Sequence, residues 1–249
     1  MPYIKTDIQQ HCATITLQRT QQQNALNRAL IDELNQSLAC IKAHSQVRCL
    51  VIDSEGPHFC SGADLRWLQA ACQLSDDDNY HDANQLAQLL QTIATLPLLT
   101  IAYVSGNCLG GGLGLAACCD MVLADTQAKF GCPELQIGMV PAIIMPYLVD
   151  KIGLQHAKEW VYSGNRYTAK QAQQAQLIDL TVDVQQASRV IQNWQDQTLK
   201  NNIDAFKITK LLFAECSVRH NMQSDVVTIM AKQRLGKPVQ KWIEMFLDK

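Results

Sequence analysis

The chain has 249 residues, 47% of them hydrophobic and 18% charged, which is enough apolar material to bury a substantial core as one α/β domain and excludes a disordered chain. Its 21 Lys and Arg against 23 Asp and Glu leave a net charge of −2, so no broad basic field is available for a nucleic-acid backbone. No run approaches the ~20 apolar residues of a membrane-spanning helix.

Two further features bear on the compartment. The ten cysteines form no CxxC pair and no paired His spacing for a metal, so the expectation is buried, reduced thiols and no metal site. The opening MPYIKTDIQQ has neither the apolar stretch of a secretory signal nor the Arg and Ser bias of a transit peptide. A cytoplasmic protein is the expectation.

Along the chain, Cys12–Leu17 (CATITL) carries the β-branched residues of a strand, and 47–54 (VRCLVIDS) has the near-continuous apolar run of a buried one. Between them Asn27 can cap a helix with Leu30, Ile31, Leu34, Leu38 and Ile41 on one face, completing a βαβ unit. Residues 21–23 (QQQ) and 75–78 (SDDD) read as polar loops. A helix over 83–96 aligns Leu86, Leu89, Leu90 and Ile93 and stops at Pro97. Strand 100–105 (TIAYVS) runs into Gly106 and then Gly110-Gly111-Gly112-Leu113-Gly114, followed by a short helical stretch at 115–119 and a strand at 121–124. This alternation predicts mostly parallel pairing. Beyond Pro141 the pattern is helical, with segments at 143–152, 154–163, 169–175 and 187–200, about three more after Asp204, and one short strand near 177–182. We therefore expect a core over 1–190 and a helical region over 191–249 used for packing or oligomerisation.

The glycine cluster fits no common nucleotide motif. A dinucleotide fingerprint started at Gly110 reaches Leu115 where its last glycine belongs, and a Walker loop started at Gly106 meets Gly112 where Lys belongs. There is no G-x-S-x-G elbow to activate Ser61 or Ser105. Glycines between a strand and a helix either permit tight backbone packing or leave N–H groups uncovered for an oxyanion. Residues 59–65 (FCSGADL) repeat that arrangement after another strand, and two such strand ends in a parallel sheet can converge on one ligand oxygen.

FCSGADL at 59–65, SGNCLGGGLG at 105–114, Cys119-Asp120 and FGCPELQIGMVP at 130–141, in that order, resemble the crotonase superfamily of enoyl-CoA hydratases and isomerases over about the first 180 residues. Asn24-Ala25-Leu26-Asn27 resembles that family's early coenzyme A-binding stretch. The closest pattern is that of bacterial methylglutaconyl-CoA hydratase-like members. The resemblance implies an α/β fold with a crotonase-type ββα spiral core and a helical C-terminal region, in trimers that stack into hexamers. It implies an acyl-CoA substrate, no metal and no cofactor beyond the coenzyme A of the substrate. It also implies oxyanion-hole N–H groups from Ala63 and Gly111, with Glu134 as the catalytic carboxylate. Around them Ala25, Leu26, Arg28, Gly62, Asp64, Leu65, Gly110 and Pro133 are expected to bind substrate. Trp67 and Leu68 are expected to be packing or acyl-pocket walls.

The chain departs from the family at one position. Hydratases of the family commonly use two glutamates, and Gly114 stands where the first belongs. Three readings remain open at this point: hydration of a 2-enoyl-CoA, 3-enoyl to 2-enoyl isomerisation with one glutamate, and a noncatalytic acyl-CoA-binding homologue. The polar segment 75–84, with Tyr80, His81 and Asp82, is either a source of a second acid/base group or a solvated loop.

Overall fold

The apolar runs form the middle of a six-stranded sheet in the computed structural model, which describes residues 2–217, 223–234 and 245. In chain order its strands are β1 (Ile4–Gln9), β2 (Cys12–Leu17), β3 (Cys49–Ser54), β4 (Leu99–Val104), β6 (Met121–Asp125) and β9 (Leu180–Val182). They lie side by side in the order β1-β2-β3-β4-β6-β9. Pairing is parallel from β2 to β9, and β1 is added antiparallel to β2. A second sheet holds three strands of three residues each, β5 (Asn107–Leu109), β7 (Lys129–Gly131) and β8 (Arg166–Thr168), in the order β5-β7-β8. This is an α/β arrangement with helices packed against both sheets.

The first helix, α1 (Arg28–Ala43), starts where expected. The Asn27 side chain accepts from the Leu30 N–H at 2.9 Å, and the five apolar residues at helical spacing are all buried. Full burial of each such side chain contributes roughly 1.5–3 kcal/mol, so this stripe fixes α1 to the sheet. Next come α2 (Leu65–Ala71) and α3 (Asp76–Thr95). The expected loop at 75–78 is a helix start instead. Ser75 caps α3 by accepting from the Asp78 N–H, and Asp76, Asp77 and Asp78 fill the first turn, where negative charge complements the helix dipole.

The remaining helices are α4 (Gly111–Ala117), α5 (Met145–Ser163), α6 (Ala169–Gln174), α7 (Val184–Leu199), α8 (Ile203–Cys216) and α9 (Gln223–Arg234). The two helices expected over 143–163 are one element broken at Gly153, whose φ of 71° and ψ of 161° are not helical. The expected division at residue 190 falls inside α7. Of the expected C-terminal region, 218–222, 235–244 and 246–249 lie outside the described residues.

Asp120, one of the motif residues, ties three elements together. Its Oδ2 accepts from the Thr100 N–H and hydroxyl, each at 2.8 Å, and from the buried Lys210 Nζ at 2.6 Å. The same Nζ donates to the Leu98 carbonyl, so α8 is pinned where β4 and β6 begin. The ten cysteines are free thiols. Among the described residues, no helix is long and apolar enough to cross a membrane.

Candidate active site

Two loops leave the carboxyl ends of neighbouring parallel strands, one after β3 and one after β4. They are zipped together: Phe59 donates to the Ser105 carbonyl, Cys60 to Asn107, and Leu109 back to Cys60, at 2.8 to 3.0 Å. The zipper carries each chain to a helix start, α2 for the first loop and α4 for the second. Ala63 and Gly111 stand at these starts, and both line one cavity of about 790 Å³. No acceptor among the described residues takes up either N–H. For Gly111 this follows from its place as the first residue of α4, because first-turn N–H groups have no partner within the helix.

A third segment completes the wall. Leu26 donates to the Gly62 carbonyl at 2.7 Å and accepts from the Asp64 N–H at 2.8 Å, and Ser61 donates to Gln23. Arg19 locks this arrangement. Its Nη1 donates to the Ala25 carbonyl at 2.8 Å and its Nη2 to Asp64 Oδ2 at 2.6 Å. The other carboxylate oxygen of Asp64 caps α2 through the Arg66 and Trp67 N–H groups. Arg19 and the cap hold the Asp64 carboxyl below its ordinary range, against the opposing effect of burial. Sequence reasoning missed Arg19, which lies in a stretch with no periodic signal.

Glu134 enters from the other side. It follows β7 through Pro133 and opens a 3-10 turn, Glu134–Ile137. The Gly110 N–H donates to the Gly131 carbonyl at 3.0 Å, which holds the glycine loop beside the strand that delivers the carboxylate. Gly110 has a φ of 50°, and a Cβ there would lie 2.7 Å from Glu134 Oε1. A side chain at 110 would be strained and would displace the carboxyl group. Glu134 as a residue is half-buried, but its Oε2 is buried and has no hydrogen-bond partner among the described residues. Burial pushes the Glu134 carboxyl above the usual carboxylate range, while the Cys132 thiol beside it and its own backbone N–H act in the opposite direction. A buried carboxylate with one oxygen left without a partner is the kind of group that accumulates at functional sites.

The missing first glutamate has a physical counterpart. A Cβ at Gly114 would stand 2.4 Å from Ile144 Cγ2 and 3.1 Å from its Cβ, so the Ile144 side chain fills the space a longer residue at 114 would need. Gly114→Ala is expected to destabilise the protein by about 1–3 kcal/mol, measured by chemical denaturation. Adding Ile144→Ala should recover part of that loss in a double-mutant cycle. Additive losses would mean that Ile144 is not the obstacle.

Of the residues expected at the site, Ala25, Leu26, Gly62, Ala63, Asp64, Leu65, Gly110, Gly111, Pro133 and Glu134 all line the cavity. Arg28 does not. It is half-exposed, with Nε 3.8 Å from Asp82 Oδ1. Trp67 and Leu68 are cavity walls. Tyr80, His81 and Asp82 lie on α3 rather than in a loop, and none of them lines the cavity. Tyr80 and His81 are exposed, and Asp82 is buried. Cys60 is also no nucleophile, since burial pushes its thiol up to about 12.

In sequence and in fold the chain is similar to known proteins. The family model described as enoyl-CoA hydratase/isomerase matches residues 7–249. A provisionally named enoyl-CoA hydratase of Thermus thermophilus is 30% identical over 81% of this chain and 80% of its own length. The human mitochondrial methylglutaconyl-CoA hydratase is 29% identical over 86% of this chain and 63% of its own length. The match thus spans less than two thirds of that relative, as it does for several others. The crystal structure of an enoyl-CoA hydratase from Shewanella pealeana superposes with a TM-score of 0.83 at 27% identity, covering 99% of this chain and 93% of that one.

Proposed function

The chain belongs to the enoyl-CoA hydratase/isomerase family, and we propose that it adds water across the C2–C3 double bond of a 2-enoyl-CoA, including branched chains such as 3-methylglutaconyl-CoA. The observation that carries this reading is one cavity lined by Ala63 and Gly111, whose backbone N–H groups have no acceptor among the described residues, and by Glu134, whose buried Oε2 has no hydrogen-bond partner among them. In the reaction the thioester carbonyl oxygen lies between Ala63 and Gly111. Glu134 takes a proton from water as the oxygen attacks C3, and charge moves onto the carbonyl oxygen as an enolate. The two N–H donors stabilise that oxyanion, and deletion of one such donor typically costs roughly 3 kcal/mol. The enolate then takes back at C2 the proton held by Glu134. One carboxylate suffices for both transfers, because the proton removed from water is the proton returned to carbon. Homotrimers or hexamers are the assembly that fits this reading.

A second reading is favoured by one observation. Ile144 occupies the space at Gly114, so the cavity wall there is apolar, which suits shuttling a proton from C2 to C4 without admitting water. A noncatalytic binding role is disfavoured, since binding alone gives no return for burying a carboxylate with one oxygen unsatisfied. Purified protein incubated with crotonyl-CoA, 3-methylglutaconyl-CoA and a 3-enoyl-CoA separates the three readings. We expect hydration of a 2-enoyl-CoA. Conversion of the 3-enoyl-CoA alone would replace the hydratase reading with the isomerase one, and no turnover of any of the three would favour binding only.

A further inference from the structure

One buried charge on the cavity has no part in that chemistry. Arg234, in the last turn of α9, is 1% exposed and lines the cavity together with Met230, one helical turn earlier. Its Nη1 donates to Asp82 Oδ2 at 2.8 Å, and its guanidinium stacks over the Trp67 ring, 4.6 Å from the centroid. Asp82 lies one turn before Leu86 on α3, and Leu86 is also a cavity wall. Arg234 therefore lines the cavity beside the apolar residues Trp67, Leu86 and Met230.

Among the described residues, the charges at this point do not balance. Asp82 is approached by two cations, Arg234 at 2.8 Å and Arg28 at 3.8 Å, so one carboxylate is shared between two guanidiniums. A guanidinium offers five N–H donors and stays charged in proteins. Asp82 takes a single close contact, and Arg234 Nε has no acceptor among the described residues. Of the other guanidiniums on the cavity, Arg66 and Arg166 are exposed and Arg19 is held by Asp64. A staple between α3 and α9 would explain the ion pair. It would not explain why a cation with an unpartnered donor lines the cavity, because a buried pair adds little net stability of its own.

We propose that Arg234 is a specificity-determining residue that binds an anionic group, a carboxylate, at the far end of the acyl chain. Asp82 and the Trp67 ring hold the guanidinium plane in place, and the substrate carboxylate supplies the second anion that these two arginines lack among the described residues. The ligand class is the coenzyme A thioester of a dicarboxylic acid. The inference rests on reading the cavity as an acyl-CoA site, and it does not depend on which reaction follows.

The test is equilibrium binding by calorimetry to the full chain, using saturated thioesters that cannot react: succinyl-, glutaryl- and adipyl-CoA, each against the neutral chain of equal length, butyryl-, valeryl- and hexanoyl-CoA. The wild type should bind at least one acid about tenfold or more tightly than its neutral counterpart, the size expected of a charge-assisted contact. Arg234→Met should erase that ratio while leaving affinity for the neutral chains within about threefold, and Arg66→Met should leave the ratio intact. No acid preference in the wild type would overturn the proposal even if Arg234→Met does not fold. A preference that survives Arg234→Met, or that disappears in Arg66→Met, would overturn it as well. Hydration of crotonyl-CoA is measured in parallel. Its absence beside an intact acid preference counts against the hydratase reading alone, and its presence without acid preference counts against the subsite alone.

Discussion

Glu134→Gln is expected to lower kcat by about 10²–10⁴-fold while leaving KM little changed, the range typical of losing a positioned general base. Gln keeps the shape that fits against Gly110, where the carboxyl oxygen fills the space a Cβ would need, so the loss is one of proton transfer rather than of packing. Burial raises the Glu134 carboxyl above its usual range, and this carries two consequences for pH. The group acts as a base, so the wild-type kcat should fall as pH drops through the raised value, and the mutant should lack that acid limb. Stability gives the second consequence. Because the folded-state pKa is raised, the native protein holds this proton more tightly than the unfolded chain, whose Glu titrates near ~4.3. The resulting stability is fully present below that value and is lost as pH rises through the folded pKa. Glu134→Gln should therefore melt at a higher temperature than wild type near pH 8, with the difference vanishing near pH 4. An equal difference at both pH values would show that burial of the charge is not its cause.

What could be read from the residues depended on how local the signal was. β3, β4 and β6 are mostly buried apolar runs, β2 alternates buried Ala13, Ile15 and Leu17 with half-buried residues, and α1 has a cap and five leucines or isoleucines at helical spacing, so each announces itself within a short window. β1 does not, since only Ile4 is buried and the rest of the strand faces solvent at the sheet edge. β5, β7 and β8 have three residues each, too few for any period to register. The start of α3 was legible in principle, because a serine followed by three aspartates is a capping signal as well as a loop composition. At the site, the glycine loop, FCSGADL and Glu134 are contiguous motifs, and their convergence follows from the loops' descent from adjacent parallel strands. Two contributions came from pairs distant in sequence. Arg19 meets Asp64 45 residues away, and Arg234 meets Asp82 152 residues away. Neither partner carries a mark of the other, so only the folded arrangement joins them. The void left by the absent glutamate is likewise invisible in the residue Gly114, because its occupant, Ile144, lies 30 positions further on.

Gly111→Pro is expected to lower kcat/KM by about 10²–10³-fold, close to 3 kcal/mol of lost transition-state stabilisation. The substitution deletes a single N–H at a place where the fold can accept it. Gly111 is the first residue of α4, a position at which proline is favoured because its missing N–H would have had no helical partner. One steric effect has to be separated from this. A Cβ at 111 would lie 2.7 Å from Leu26 Cδ1, the mobile end of a flexible side chain that can move aside. Gly111→Ala introduces the same crowding and keeps the donor, so it should stay within about tenfold of wild type. The gap between the two variants removes the Cβ effect and measures the N–H together with the proline Cδ that takes the hydrogen's place. The gap should be wider in kcat than in KM, because the donor meets more charge on the enolate oxygen than on the ground-state carbonyl. Combining Gly111→Pro with Glu134→Gln gives a further constraint. If the activity left in Glu134→Gln comes from oxyanion stabilisation, the double variant should approach the uncatalysed rate. An alanine variant that falls as far as the proline one would assign the loss to Leu26 and remove Gly111 from the oxyanion hole.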